Sequence, residues 1–237
     1  MWSILTEPSL RRGKWDQRQF LATGQAAVDA IMAQAARLGV PEQGGRALDF
    51  GCGVGRLTRA LAGYFEQVDG LDIAETMIRR AVELNADIPG CAFRRHEDTD
   101  LRAFADQTFD LVCSIFVLQH IPSRELIEGY MREFVRVLRP SGLLVLELPT
   151  ALPPAPPPTL RARIAPRTRL TRSLRRLGVS PKFLYEPLNW RPDMPMTAVT
   201  DTETIAILSG AGARLLHASE PVTDFGGVQA RFYYATR

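Results

Sequence analysis

The residues with the clearest chemistry lie between Asp49 and Asp72. Asp49-Phe50-Gly51-Cys52-Gly53-Val54-Gly55-Arg56 sets three glycines at alternate positions, and Asp72 ends an apolar run 21 residues after Gly51. Glycine has no Cβ, so the backbone there can turn sharply and come close to a ligand. The N–H groups that open the following helix favour an electron-rich group. A carboxylate about 20 residues later, on the tip of the next strand, can hold both hydroxyls of a ribose. A dinucleotide site wants Gly-x-Gly-x-x-Gly to make room for a pyrophosphate. Here the third glycine comes one residue early, at Gly55, and Arg56 stands in the expected place. Asp49 is a carboxylate inside an otherwise apolar strand; it would repel a pyrophosphate and suits an ammonium group. The pattern predicts a site for a nucleoside that carries a positive end.

A β–α–β run must position these groups. Ala47–Phe50 reads as the first strand and Arg56–Phe65 as the helix after it. Val68–Ile73 reads as a second strand followed by a helix from Glu75 to Asn85, and Ala92–His96 as a third strand. Phe109–Ile115 is a buried-strand run. Ser123 can cap a helix whose apolar residues Leu126, Ile127, Tyr130, Met131, Phe134, Val137 and Leu138 recur at helical spacing. Pro140 and Gly142 stop that helix, and Leu143–Leu148 supplies a fifth strand. Thr202–Ser209 reads as a late helix, and Arg214–Ser219 with Val228–Ala235 as a closing pair of strands.

The motif Asp-x-Gly-x-Gly-x-Gly, with these segments in this order, resembles the class I S-adenosylmethionine-dependent methyltransferases of small-molecule type. The resemblance covers about Trp15 to Pro149 well and Thr200 to Arg237 more loosely. It implies an α/β, doubly wound, seven-stranded and mostly parallel sheet of order 3-2-1-4-5-7-6, its last strand antiparallel, with helices on both faces. It implies cofactor contacts from Asp49, Gly51, Cys52, Gly53, Gly55 and Arg56, then from Asp72, Ile73 and Met77. Glu97 and Asp98 would face the adenine amino group, and Phe116 and Val117 would follow the fourth strand. The cofactor would be S-adenosyl-L-methionine, its product S-adenosyl-L-homocysteine, and the acceptor a small molecule methylated on oxygen, nitrogen or carbon.

In that chemistry the protein holds a nucleophile in line with the S–CH3 bond and excludes water. His120 is the best candidate for a base, since it follows the fourth strand and its ordinary pKa of about 6.5 suits proton removal near neutrality. A histidine there that only hydrogen-bonds the loop is the competing reading, and Gln119 is a further candidate for the acceptor side. His96 reads as structural, and His217 has no assigned role. Asp110 stands at the beginning of its strand, the wrong end for a catalytic metal, so no metal is expected. Two other functions stay open: a different reaction of the same cofactor, and nucleic-acid methylation, prompted by a pI near 9.0. Against the latter, Ile115–His120 occupies the place where base-flipping amino methyltransferases carry Asn/Asp-Pro-Pro-Tyr/Phe.

At 237 residues, 46% apolar, the chain suits one α/β domain with an elaboration. No apolar run approaches the ~20 residues of a membrane span and no secretory leader is visible, so a cytoplasmic protein is expected. Cys52, Cys91 and Cys113 lack metal-ligand spacing and read as buried reduced thiols. Residues 1–40 read as a helical cap over the cofactor, 41–150 and 197–237 as the Rossmann-like core, and 151–196 as a Pro/Arg-rich insertion expected to form a lid over the acceptor site. In the cap, Trp15, Phe20 and Gly24 either line the methionine end or belong to a helix packed on the sheet edge, with Gly24 a break. In the insertion, a proline run precedes eight basic residues between Arg161 and Lys182, with no acidic one among them. The chain carries +3 in all, so the remainder carries −5 and the basicity is local. Three readings compete for 160–182: a lid packed by Leu170, Leu174 and Leu177, an arginine-lined entrance for an anionic acceptor, and a helix contacting a membrane surface or partner. Phe183, Tyr185 and Trp190 are expected to face the acceptor. Oligomeric state is not legible.

Overall fold

The computed structural model describes residues 16–152, 196–223 and 227–237. Contacts group 1–152 with 196–237 as one compact unit and 153–195 as another, and only the first is described below. The expectations for Trp15, for the insertion, and for Phe183, Tyr185 and Trp190 within it, lie outside the described residues.

Helix α1 (Gln17–Leu38) starts where the Asp16 carboxylate accepts from the N–H groups of Arg18 and Gln19, at 2.8 and 3.3 Å. It ends at Gly39, whose left-handed φ of 71° turns the chain back onto the last carbonyls. Gly24 does not break it. A Cβ at Gly24 would lie 2.3 Å from the Arg56 carbonyl oxygen, so this glycine lets α1 sit directly on the helix opposite. That helix, α2 (Arg56–Leu61), follows strand β1 (Arg46–Phe50) and is four residues shorter than expected. A turn closes it where Gly63 and Tyr64 donate to Ala60 and Leu61.

Strand β2 (Gln67–Asp72), helix α3 (Glu75–Leu84), strand β3 (Cys91–Arg95) and strand β4 (Phe109–Ser114) come next. Ser123 caps helix α4 (Arg124–Val137) through Leu126 N–H. Arg139 precedes a proline and so disfavours helical backbone. The chain accordingly leaves α4 straight into strand β5 (Leu138–Ala151), longer at both ends than expected. Thr200 and Glu203 form a reciprocal capping box on helix α5 (Asp201–Gly210). Strands β6 (Arg214–Ala218), β7 (Val222–Thr223) and β8 (Gln229–Thr236) finish the chain.

The sheet runs β3-β2-β1-β4-β5-β8-β6, parallel through β5, with β8 antiparallel to both neighbours. This is the expected order with one correction: eight strands, because the two-residue β7 also pairs with β8. The strand alternation divides the core. Leu48, Phe50, Val112 and Leu146 pack with α4, while Ala47, Leu111, Cys113 and Val145 pack under α1 and α2. Cys91 is only half-buried, unlike the two other cysteines. Strands with both faces covered bring their functional groups to the loops at their carboxyl ends.

Candidate functional site

Two loops meet at those carboxyl ends. Gly51 and Cys52 both donate to the Leu71 carbonyl, at 2.7 and 2.8 Å, which folds the glycine segment back over β2. Gly51 has φ of 82°, and a Cβ there would lie 2.1 Å from a Val117 methyl. A Cβ on Gly55, φ of 83°, would strike Asn85 and Phe93. Both glycines are therefore required by neighbouring chain. Asp72 emerges from β2 with its carboxylate already aimed: one oxygen accepts from Gly53 N–H at 2.9 Å, the other from Ala74 N–H at 2.8 Å.

Beside Asp72 opens a cavity of about 320 Å³, at the small end of ligand-pocket sizes of ~300–1,000 Å³. Gly51, Asp72, Ile73, Glu97, Asp98, Val117 and His120, all expected at the site, line it. Ile73 is 70% exposed at the mouth. Arg95 pairs with Glu97 and Glu75 across the outer rim. The back wall holds residues the sequence reading did not place there: Phe50, His96 and Tyr130. The Tyr130 hydroxyl donates to the Asp98 carbonyl at 2.6 Å and so pins the loop after β3. Burial lowers the pKa of both His96 and His120, so each holds a neutral ring further into the acid range than a free histidine.

The other expected residues fall around this cavity. Asp49 points to the α1 face, buried, accepting from the Thr58 hydroxyl at 2.6 Å. Desolvation pushes its carboxyl up to about 6, opposed by the Thr58 hydrogen bond and by Arg56. Arg56 is itself buried beneath α1, and its guanidinium reaches the Thr23 hydroxyl at 3.4 Å. Cys52 is buried beside Gly70. Phe20 packs against Val54 of the glycine loop, with Met77 beside them. Phe116 is exposed, with φ of 62°, a backbone region that bulky side chains rarely enter. Gln119 is buried, and its carbonyl accepts from Thr197 N–H at 2.9 Å. Asp110 lies at the opposite end of the sheet, clasped by Arg139. Among the described residues, no group of three or more His, Cys, Asp or Glu could hold a metal, and no helix is long and apolar enough to cross a membrane.

Known proteins resemble this chain in sequence and in fold. The 2-methyl-6-phytyl-1,4-hydroquinone methyltransferase of Synechocystis is 33% identical over 125 residues, 52% of this chain and 38% of that protein. A ubiquinone biosynthesis O-methyltransferase of Xanthomonas campestris is 32% identical over 123 residues, 51% of this chain and 49% of that protein. The chain thus spans half or less of the length of these curated relatives. Among solved structures, magnesium protoporphyrin IX methyltransferase from Synechocystis with bound S-adenosylhomocysteine superposes with a TM-score of 0.59 at 21% identity. That match covers 96% of this chain and 90% of the other. An S-adenosylmethionine-dependent methyltransferase from Mesorhizobium loti gives 0.59 at 21%, covering 86% and 96%. At such identities the superpositions establish the fold. The family model described as a methyltransferase domain matches residues 48–146, from β1 to β5.

Proposed function

We propose that the chain transfers the methyl group of S-adenosylmethionine to a small-molecule acceptor. The observation that carries this reading is the Asp72 carboxylate, fixed by two backbone N–H groups at the edge of a nucleoside-sized cavity. Each carboxylate oxygen accepts one backbone bond and keeps further lone pairs for a pair of ribose hydroxyls. Glu97 and Asp98 supply acceptors for an adenine amino group, and Asp49 a buried negative charge for the ammonium. The sulfonium cofactor brings an activated methyl and a good leaving group; the chain's own residues bind, orient and move protons. His120 is assigned as the group that takes a proton from an oxygen or nitrogen acceptor. The cited relatives' names point to hydroquinone and related phenolic acceptors, and we extend that class to this chain. The arginines of 160–182 suit a carboxylate or phosphate on such an acceptor.

The test is calorimetry with S-adenosylmethionine and S-adenosylhomocysteine on the wild type and Asp72→Ala. Two charge-assisted hydrogen bonds are lost, so affinity should fall about 100-fold or more. Unchanged affinity in a folded Asp72→Ala protein overturns the assignment. Transfer of a labelled methyl group to simple hydroquinones then separates methyl transfer from another reaction of the same cofactor.

A further inference from the structure

We propose that the Phe116 ring is the surface on which the methyl acceptor stacks, and that it selects for a flat aromatic acceptor. The inference rests on the function proposed above and deepens it, by giving the acceptor side a residue that the cofactor cavity leaves out.

The backbone sets Phe116 apart. Its φ of 62° lies in the left-handed region, which is costly for a bulky residue and mild for glycine or asparagine. The other non-glycine residues with positive φ, Gln107 and Ser141, are polar and lie beside Asp110 at the amino end of the sheet. The neighbours of Phe116 hold it in place. Ile115 is buried in the layer under α1 and α2, while Val117 packs on the opposite layer and against Gly51. Anchored on opposite faces, they leave the ring between them turned outward. It is 41% exposed and belongs to none of the core clusters among the described residues. The fold thus enforces a strained aromatic residue whose side chain contributes little to packing. Such outliers gather at ligand sites.

Position and chemistry name the ligand. Phe116 follows β4, the middle strand of the sheet, at the carboxyl end. In the cofactor reading the ribose goes to Asp72 and the ammonium to Asp49. The sulfur joins these two ends, so the acceptor must approach beside the glycine loop that Val117 touches. His120, assigned to the acceptor's proton, is four residues further along the same loop. Phe116 is not among the residues lining the cavity, so the nucleoside does not account for it. A phenyl ring has no hydrogen-bonding group to offer. Its distinctive contribution is a π face, and paired aromatic rings gain more than the area they bury, which a saturated ring does not.

The experiment is NMR titration of hydroquinone and its saturated counterpart, cyclohexane-1,4-diol, into protein loaded with S-adenosylhomocysteine. It is run on the wild type, Phe116→Leu, Phe116→Tyr and Phe116→Asn, with calorimetry of S-adenosylhomocysteine and thermal melts on each. The wild type should bind hydroquinone about fivefold tighter than the saturated diol. Phe116→Leu should lose that preference, and Phe116→Tyr should keep it. Phe116→Asn, which suits the left-handed backbone, should melt at or above the wild-type temperature and lose the preference. A wild type without preference, or a Phe116→Leu protein that retains it, overturns the proposal and leaves the cofactor reading standing. So does a Phe116→Leu protein whose affinity for S-adenosylhomocysteine falls as far as that for hydroquinone, since the ring then serves the cofactor. A lower melting temperature for Phe116→Asn assigns the ring to the fold and also overturns it. A wild type that binds S-adenosylhomocysteine but neither diol overturns the aromatic acceptor class along with the proposal. One that does not bind S-adenosylhomocysteine overturns the proposed function itself.

Discussion

The two ends of the sheet treat their buried carboxylates differently. At the amino end, Asp110 accepts from Arg46 N–H at 2.7 Å and from the Arg139 guanidinium at 2.9 Å on both oxygens. Next to it Asp69 pairs with Arg46 at 2.8 Å and Arg94 at 3.3 Å, with the Arg46 guanidinium 5.1 Å over the Phe109 ring. At the carboxyl end, Asp49 is as deeply buried and forms no ion pair among the described residues; it has the Thr58 hydroxyl and a 3.9 Å contact from the Cys113 thiol. Asp110 and Asp69 are ion-paired with arginines, whereas the carboxylate assigned to a ligand's cation has no ion pair among the described residues. The lack of an ion partner therefore separates Asp49 from Asp69 and Asp110 within a single sheet.

Removing one of these arginines should produce the largest effect. Arg139→Ala leaves Asp110 buried beside only a backbone donor, and urea unfolding should show a loss of about 3 kcal/mol, at the low end for a broken buried pair because Arg139 is partly exposed. Affinity for S-adenosylhomocysteine should not change. A parallel fall in affinity would mean that the two ends are coupled and would break the contrast.

The functional end should answer in rate rather than in stability. His120→Ala should lower turnover about 100-fold while leaving the melting temperature and cofactor affinity near wild type. Burial lowers the folded pKa of His120, so the free base persists below the ordinary value of about 6.5. The rate should fall as pH falls, with its midpoint on the acid side of that value, and His120→Ala should abolish this limb. A loss under about threefold returns His120 to a loop-holding role.

The sequence made the frame of this contrast visible because the strands are short apolar runs and α4 carries a clean apolar stripe. Chain order then implied which strand end each motif faces, and Asp110 did lie at the end away from the cavity. What stayed hidden depends on contacts between distant segments. Gly24 reads locally as a helix break, whereas its meaning comes from the Arg56 carbonyl facing it from α2. Phe20 lies on the apolar stripe of α1, and only packing shows that it covers Val54. His96 carries no signal beyond standing at a strand end. Its value appears when Phe50 and Tyr130, 46 residues before and 34 after it, fix the ring beside the cavity.

The smallest effect is also the sharpest test of the contrast, and it concerns Asp49. Its folded pKa of about 6 exceeds the ordinary 3.8. Between those values the folded state binds more protons than the unfolded chain, so stability should fall as pH rises through this window. Above the folded value the full cost of the buried charge applies, about 3 kcal/mol at ~1.4 kcal/mol per pKa unit. Asp49→Asn keeps the shape and an acceptor for the Thr58 hydroxyl but removes the charge. It should stabilise the protein by about 1–2 kcal/mol at about pH 8, less than the full cost because the amide must itself be desolvated, and by almost nothing at about pH 4. Cofactor binding should move the other way: the wild type should gain affinity as pH rises through the folded value, and Asp49→Asn should lose both the gain and the ammonium's partner. Urea melts at the two pH values, with calorimetry across the window, measure both. A destabilised Asp49→Asn at about pH 8 would show that Asp49, like Asp110, already has its cation in the fold, and the difference between the two ends would vanish.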